Sequence, residues 1–213
     1  MNIKVVSKIL DANDRLAETN RRKLKAAGIY TINLMGAPGA GKTSLLECVL
    51  DTLKGSLRIG IIEGDIAGAD DARRIALYNV PVVQINTGGA CHLDANMIGE
   101  VLNELPLDEI DMLIIENVGN LVCPAEFSLG EDIKIMVSGV TEGHDKPGKY
   151  PLMFRQSNAL ILNKTDLLPY VNIDMGKFRS DALSLNPEIK IFEVSCKTRD
   201  GIGEFCQWLR LQR

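Results

Sequence analysis

The run Gly36-Ala37-Pro38-Gly39-Ala40-Gly41-Lys42-Thr43 fits G-x-x-x-x-G-K-T and constrains this chain more than any other stretch. The pattern works only as a loop between a strand and a helix, and both are readable here. Tyr30–Met35 is an apolar, strand-like run, and residues 42–54 carry a helical pattern. Glycines let backbone N–H groups turn inward around a phosphate. The helix N-terminus adds dipole charge, Lys42 reaches the β and γ phosphates, and the Thr43 hydroxyl ligates magnesium. Gly36, Gly39, Ala40, Gly41, Lys42, Thr43 and Ser44 are therefore expected to hold a nucleotide.

The rest of the chain repeats the same alternation. Strand-like runs lie at Leu57–Glu63, Val82–Asn86, Met112–Glu116, Ile133–Ser138, Ala159–Asn163 and Ile189–Val194. Helical patterns fall near 69–78, 93–104, 174–185 and 201–211. This predicts an α/β fold: a doubly wound, mostly parallel seven-stranded sheet of the P-loop NTPase type, helices on both faces. Such sheets bind ligands at the C-terminal ends of their strands. Residues 2–27 read as an amphipathic helix with Val6, Ile9, Leu10, Leu16 and Leu24 on its apolar stripe, ended by Gly28. The loop 141–151 is the longest irregular piece and a candidate lid. With no linker or repeat, residues 1–213 read as a single domain.

Composition limits the surroundings. A net charge of -4 and pI near 5.3 argue against a nucleic-acid surface. No apolar run approaches the roughly 20 residues of a membrane span, and charges from Lys4 onward argue against a signal peptide. Five cysteines, an odd number, fit a reducing cytoplasm where thiols stay free. Cys48 and Cys206 read as small core hydrophobes.

Asn163-Lys164-Thr165-Asp166 ends a strand run and resembles the base-reading motif of GTPases. A carboxylate there accepts both N1–H and the exocyclic amine of guanine, a donor pair adenine lacks. Ser195-Cys196-Lys197 resembles the second base-contacting loop. GTP and GDP are thus the expected ligands, against the alternative of an ATP-dependent P-loop kinase. Around the γ-phosphate, Glu116 and Gly119 resemble a switch whose glycine N–H senses phosphate and whose acid reaches magnesium. Asp65 supplies another acid, and Asp71 is a candidate to position water; helix N-capping is the alternative for both aspartates. Arg73 and Arg74 are candidate arginine fingers or surface residues. Without such a finger, turnover of roughly 10⁻⁴ to 10⁻³ per second is expected.

Cys91-His92 and Cys123 add a second chemistry. Two sulfurs and an imidazole suit zinc, nickel or copper rather than magnesium or calcium. Three ligands leave a position open, which suits a transferable ion. Cys91 is read at a helix N-terminus, where its thiolate would be stabilised. His144 reads as solvated.

Taken together, the P-loop, Glu63-Gly64-Asp65, Gly88-Gly89-Ala90-Cys91-His92, the run 116–124 (Glu-Asn-Val-Gly-Asn-Leu-Val-Cys-Pro), Thr141-Glu142-Gly143 and Asn-Lys-Thr-Asp resemble the HypB family of nickel-incorporation GTPases. The resemblance implies slow GTP hydrolysis coupled to nickel insertion into nickel–iron hydrogenase. It also implies Cys91, His92 and Cys123 as nickel or zinc ligands at a homodimer interface favoured by GTP. A HypA-like nickel chaperone and the hydrogenase large subunit would be its partners. Some members carry a cysteine-rich N-terminal motif or a histidine-rich tract; this chain begins Met1-Asn2-Ile3-Lys4 with neither, so the G-domain site is expected to carry the metal function. Urease-type relatives use Cys-Pro-His, whereas Cys123-Pro124 is followed by Ala125. A regulatory GTPase without metal delivery is the remaining alternative.

Overall fold

The computed structural model describes residues 5–66 and 68–212, with side chains from Leu10 onward. Among these, seven strands form one sheet: β1 (Tyr30–Gly36), β2 (Ile59–Asp65), β3 (Val82–Asn86), β4 (Met112–Glu116), β5 (Ile133–Gly139), β6 (Ala159–Asn163) and β7 (Lys190–Glu193). They pair in parallel throughout, in the order β3-β2-β4-β1-β5-β6-β7. The helices are α1 (Val5–Ala26), α2 (Lys42–Leu53), α3 (Asp70–Ala76), α4 (Ala95–Val101), α5 (Cys123–Glu126), α6 (Lys146–Lys149), α7 (Pro151–Gln156), α8 (Met175–Leu185) and α9 (Ile202–Arg210).

The strands are near-continuous in apolar residues because both faces are covered. Alternation sends Ile32 and Leu34 of β1 toward α2 and α9, where they meet Leu45, Leu46 and Phe205. The opposite face is packed in two patches. Ile62, Leu113 and Ile115 meet Leu24 of α1 and Ile98 of α4, while Met136 and Leu160 meet Phe154 of α7 and Phe178 of α8.

Three expectations need correction. Strand β2 starts and ends two residues later than expected, because the N–H groups of Ser56 and Leu57 turn back to the Leu53 carbonyl. The loop 141–151 is folded rather than irregular. A 3₁₀ turn at Val140–Glu142 is closed by Gly139 N–H donating to Glu142 Oε1, and α6 and α7 follow, with Pro147 buried.

Helix α1 also docks differently. Residues 2–4 of the expected helix, and the side chains of Val6 and Ile9, lie outside the described residues. Leu24 is buried, but Leu16 is 42% exposed, and the buried positions are Asn13, Ala17, Asn20 and Leu24. The spacing is helical, but two of the four are amides. Asn20 Nδ2 donates to the carbonyls of Ala95 and Leu129, and Asn13 bridges Ser128 O and Ala95 N–H. A buried amide is retained when its partners are complete. Asn20→Ala strands two carbonyls and should cost about 2–3 kcal/mol, visible as a thermal midpoint lowered by roughly 4–12 °C.

Candidate nucleotide and metal sites

The P-loop lies between β1 and α2 and floors a cavity of about 470 Å³ lined by Gly39, Lys42, Thr43, Glu63, Glu116 and Gly119, among others. Gly41 is obligatory twice over: its φ is +97°, and a Cβ there would stand 2.4 Å from Asn163 Nδ2. Gly119 is also closely fitted, since its Cβ would meet Pro38 atoms at 2.9–3.1 Å. Asn120 N–H donates to the Gly36 carbonyl at 3.0 Å, which seats the segment after β4 on the P-loop.

The register of β2 on β4 puts Glu63 directly beside Glu116. Both are buried on the α2 face, and with Asp71 their carboxylates lie within 4.8 Å of one another. Thr43 Oγ1 donates to Glu116 Oε1 at 2.9 Å, but Glu63 Oε2 and Glu116 Oε2 are buried with no hydrogen-bond partner. Burial and the neighbouring Glu116 push the Glu63 carboxyl up to about 10. Burial raises Glu116 to about 7, although Lys42 opposes the rise. Two adjacent carboxylates cannot both ionise there without a cation. Orphaned oxygens beside a threonine hydroxyl fit a hard divalent cation such as magnesium. The sequence points to Asp65 as the acid of the Glu-Gly-Asp tripeptide; the structure sets Glu63 of that tripeptide beside Glu116, with Asp65 on the lining of the same cavity. Asp65 instead closes its own turn, accepting from Ile66 N–H and Gly68 N–H, and stands outside the acid trio.

Asp71 does not cap α3; the N-cap is Ala69, and Asp71 sits in the first turn, paired with Arg74 at 2.9 Å. Arg74 borders the phosphate cavity, forking onto Glu47 at 3.1 and 2.6 Å and touching Ser44 Oγ at 3.3 Å. Arg73 is exposed and paired with Asp70, outside that cavity.

An adjoining cavity of about 490 Å³ is lined by Asn163, Lys164, Asp166, Cys196 and Lys197. Asn163 ties three loops together: Nδ2 donates to Ala40 O, while Oδ1 accepts from Lys164 N–H and Cys196 N–H. Lys164 Nζ reaches Gly39 O, and Asp166 Oδ1 accepts from Ser195 Oγ at 2.6 Å. Cys48 and Cys206 are buried, but Cys48 also borders this cavity, its thiol donating to Cys196 O.

Cys91 and Cys123 are 32 residues apart in sequence, yet their sulfurs are 3.0 Å apart, and Cys91 Sγ is 3.7 Å from His92 Nδ1. The strand order explains this, since β3 and β4 flank β2 and both following loops cross the same sheet end. His92 lies against Phe127 with ring centroids 4.0 Å apart, and burial lowers its pKa, favouring the neutral imidazole. The Cys123 thiol is pushed up, chiefly by its hydrogen bond with Cys91. Cys91 is not at a helix start: Asp94 caps α4 and accepts from Met97 N–H, leaving Cys91 on the loop before it. Cys123 begins α5 instead. His144 is half-buried, its Nδ1 3.5 Å from Asp174 N, and outside this cluster.

Residues 30–193 match the CobW/HypB/UreG nucleotide-binding domain family. The chain is 49% identical over 205 residues to the hydrogenase maturation factor HypB of Escherichia coli (strain K12), spanning 96% of this chain and 71% of that one. The crystal structure of HypB from Archaeoglobus fulgidus superposes with a TM-score of 0.88 at 40% identity, covering 94% of this chain and 98% of that one. HypB from Helicobacter pylori, solved in complex with nickel, gives a TM-score of 0.89 at 37% identity, with 94% of each chain covered.

Proposed function

This chain belongs to the CobW/HypB/UreG nucleotide-binding family, and from that premise we propose that it is a GTP-hydrolysing metallochaperone for nickel insertion into nickel–iron hydrogenase. One observation carries the reading. Cys123 stands on the same short segment as Glu116 and Gly119, and the fold brings it to Cys91 and His92. A soft-metal donor set is thereby joined to the γ-phosphate side of the nucleotide site. The H. pylori HypB structure with nickel supports nickel as the cargo.

Within this reading residues 1–213 act as one GTPase domain in the cytoplasm; among the described residues no helix is long and apolar enough to cross a membrane. Lys42 and the P-loop amides hold the β and γ phosphates, and Gly119 N–H senses the γ-phosphate. Asp166, with Ser195 behind it, reads guanine, and the loop Cys196-Lys197 flanks the base. Thr43 and Glu116, with Glu63 beside them, would hold magnesium, which supplies charge neutralisation at the phosphates. Asp71, steadied by Arg74, orients the attacking water, while Asp65 shapes the cavity mouth. Turnover is slow, so the protein acts as a switch. GTP favours a homodimer that apposes two Cys91/His92/Cys123 sets, a HypA-like chaperone supplies or receives nickel, and the hydrogenase large subunit lies downstream.

The test is to titrate nickel and zinc into wild type and Cys123→Ala, each with GDP or a non-hydrolysable GTP analogue. The variant should bind either ion at least tenfold more weakly, and wild-type affinity should differ between nucleotides by about tenfold, a coupling near 1.4 kcal/mol. Binding indifferent to both the mutation and the nucleotide would leave only a regulatory GTPase.

A further inference from the structure

The two sites are joined by more than chain continuity. Strand residues alternate between faces, and this alternation runs past the end of β4. Glu116 is directed to the α2 face, where it meets Thr43 and Glu63. Asn117, the next residue, lies on the other face, 1% exposed. Its Oδ1 accepts from Leu93 N–H and Val118 N–H, both at 3.0 Å, and its Nδ2 donates to Asn33 Oδ1 at 3.1 Å. Three residues on, Asn120 Nδ2 donates to the Cys91 carbonyl at 3.2 Å, and its Oδ1 accepts from Val122 N–H at 2.8 Å.

The backbone on either side of His92 is therefore gripped by two side chains of the segment that carries Gly119. Cys91 O is held by Asn120 and Leu93 N–H by Asn117. The same Asn120 donates its own N–H to Gly36 O at the mouth of the P-loop.

We infer that Asn117 and Asn120 are the residues that transmit the nucleotide state to the Cys91–His92 loop. A shift of the Val118–Gly119 backbone toward a γ-phosphate carries these two amides with it, and through them the backbone on either side of His92. The interlocking contacts make the movement a choice between two packed arrangements, and binding at either end biases it. Neither asparagine belongs to the Cys91/His92/Cys123 donor set, and Asn117 only borders the P-loop cavity; both are positioning residues. This inference rests on the metallochaperone reading above.

The experiment is a coupling cycle. Zinc and nickel affinities are measured with GDP and with a non-hydrolysable GTP analogue, in wild type, Asn120→Ala, Asn117→Ala and the double variant. Metal and nucleotide affinities taken singly, the metal in the GDP-bound protein, should stay within about threefold of wild type. The ratio of metal affinities between nucleotide states should fall from about tenfold toward one in the double variant. Half-buried Asn120 keeps the test open if Asn117→Ala unfolds; alone it should lower the ratio by about threefold. A ratio unchanged in folded variants overturns the inference while leaving the metallochaperone reading intact. A wild-type ratio of one overturns the coupling of metal to nucleotide in that reading, and the inference with it.

Discussion

Replacing Asp166 by Asn should weaken GTP and GDP binding by about 10²- to 10³-fold while leaving the fold unchanged. The aspartate sits at the end of β6 in the cavity beside the P-loop, its Oδ1 already steadied by Ser195 Oγ. Its carboxylate offers two acceptors to the two N–H donors on the guanine edge. An amide turns one acceptor into a donor facing a donor, which loses a charge-assisted hydrogen bond and leaves a buried group unpaired. Each such loss costs about 1.5–3 kcal/mol, and 1.4 kcal/mol is tenfold. Xanthine supplies the control, because it carries a carbonyl where guanine carries the amine. The amide introduced by Asp166→Asn then finds an acceptor, so xanthosine diphosphate should bind the variant far better than GDP does. Fluorescence titration of labelled GDP, ADP and XDP checks both statements. Unchanged GDP affinity, or a matched gain for ADP, would place the guanine reading elsewhere.

How much of this was readable in the chain depended on how far apart the interacting residues lie. Met112–Glu116 and Ala159–Asn163 could be bounded to the residue, because a strand buried on both faces leaves a nearly uninterrupted apolar run. The P-loop and the Asn163–Asp166 turn are local, and their chemistry is written in consecutive residues. Glu63 was harder. Which of Glu63 and Asp65 faces Glu116 depends on the β2–β4 register and on where β2 ends, and the strand ends two residues later than its apolar content suggests. The buried face of α1 departs from its apolar stripe for a related reason. Asn13 and Asn20 are buried because their amides meet carbonyls 75 to 115 residues away, and no local hydrophobic pattern records such partners. Asn117 and Asn120 were equally opaque in that respect, lying in a motif whose notable residues were its acid, glycine and cysteine.

The buried acid pair Glu63 and Glu116 sets the second large expectation. Without a divalent cation, Glu63→Gln and Glu116→Gln should each raise the thermal midpoint at pH 8, although each should cripple magnesium-dependent nucleotide binding. The folded-state pKa values, about 10 and about 7, lie above the usual glutamate value. A carboxyl raised in the folded state binds more protons there than in the unfolded chain. Stability therefore falls as pH rises from about 4.5 through the folded pKa. Glu116 contributes to that loss up to about pH 7, and Glu63 continues it toward about pH 10. At pH 8 each substitution should relieve a few kcal/mol, or roughly 5–10 °C for a chain of this size. Millimolar magnesium with nucleotide should reverse the order, because the cation lets both wild-type carboxylates ionise and the glutamine variants offer it less charge. Thermal melts from pH 5 to 9, with and without magnesium and GDP, make the comparison. Identical pH slopes for wild type and both variants in the cation-free protein would show that burial and the neighbouring carboxylate do not strain the pair. If the slopes differ as expected, the acids proposed to hold magnesium also destabilise the site whenever it is empty. Emptying it after hydrolysis would then loosen the β4 end that carries Asn117 and Asn120.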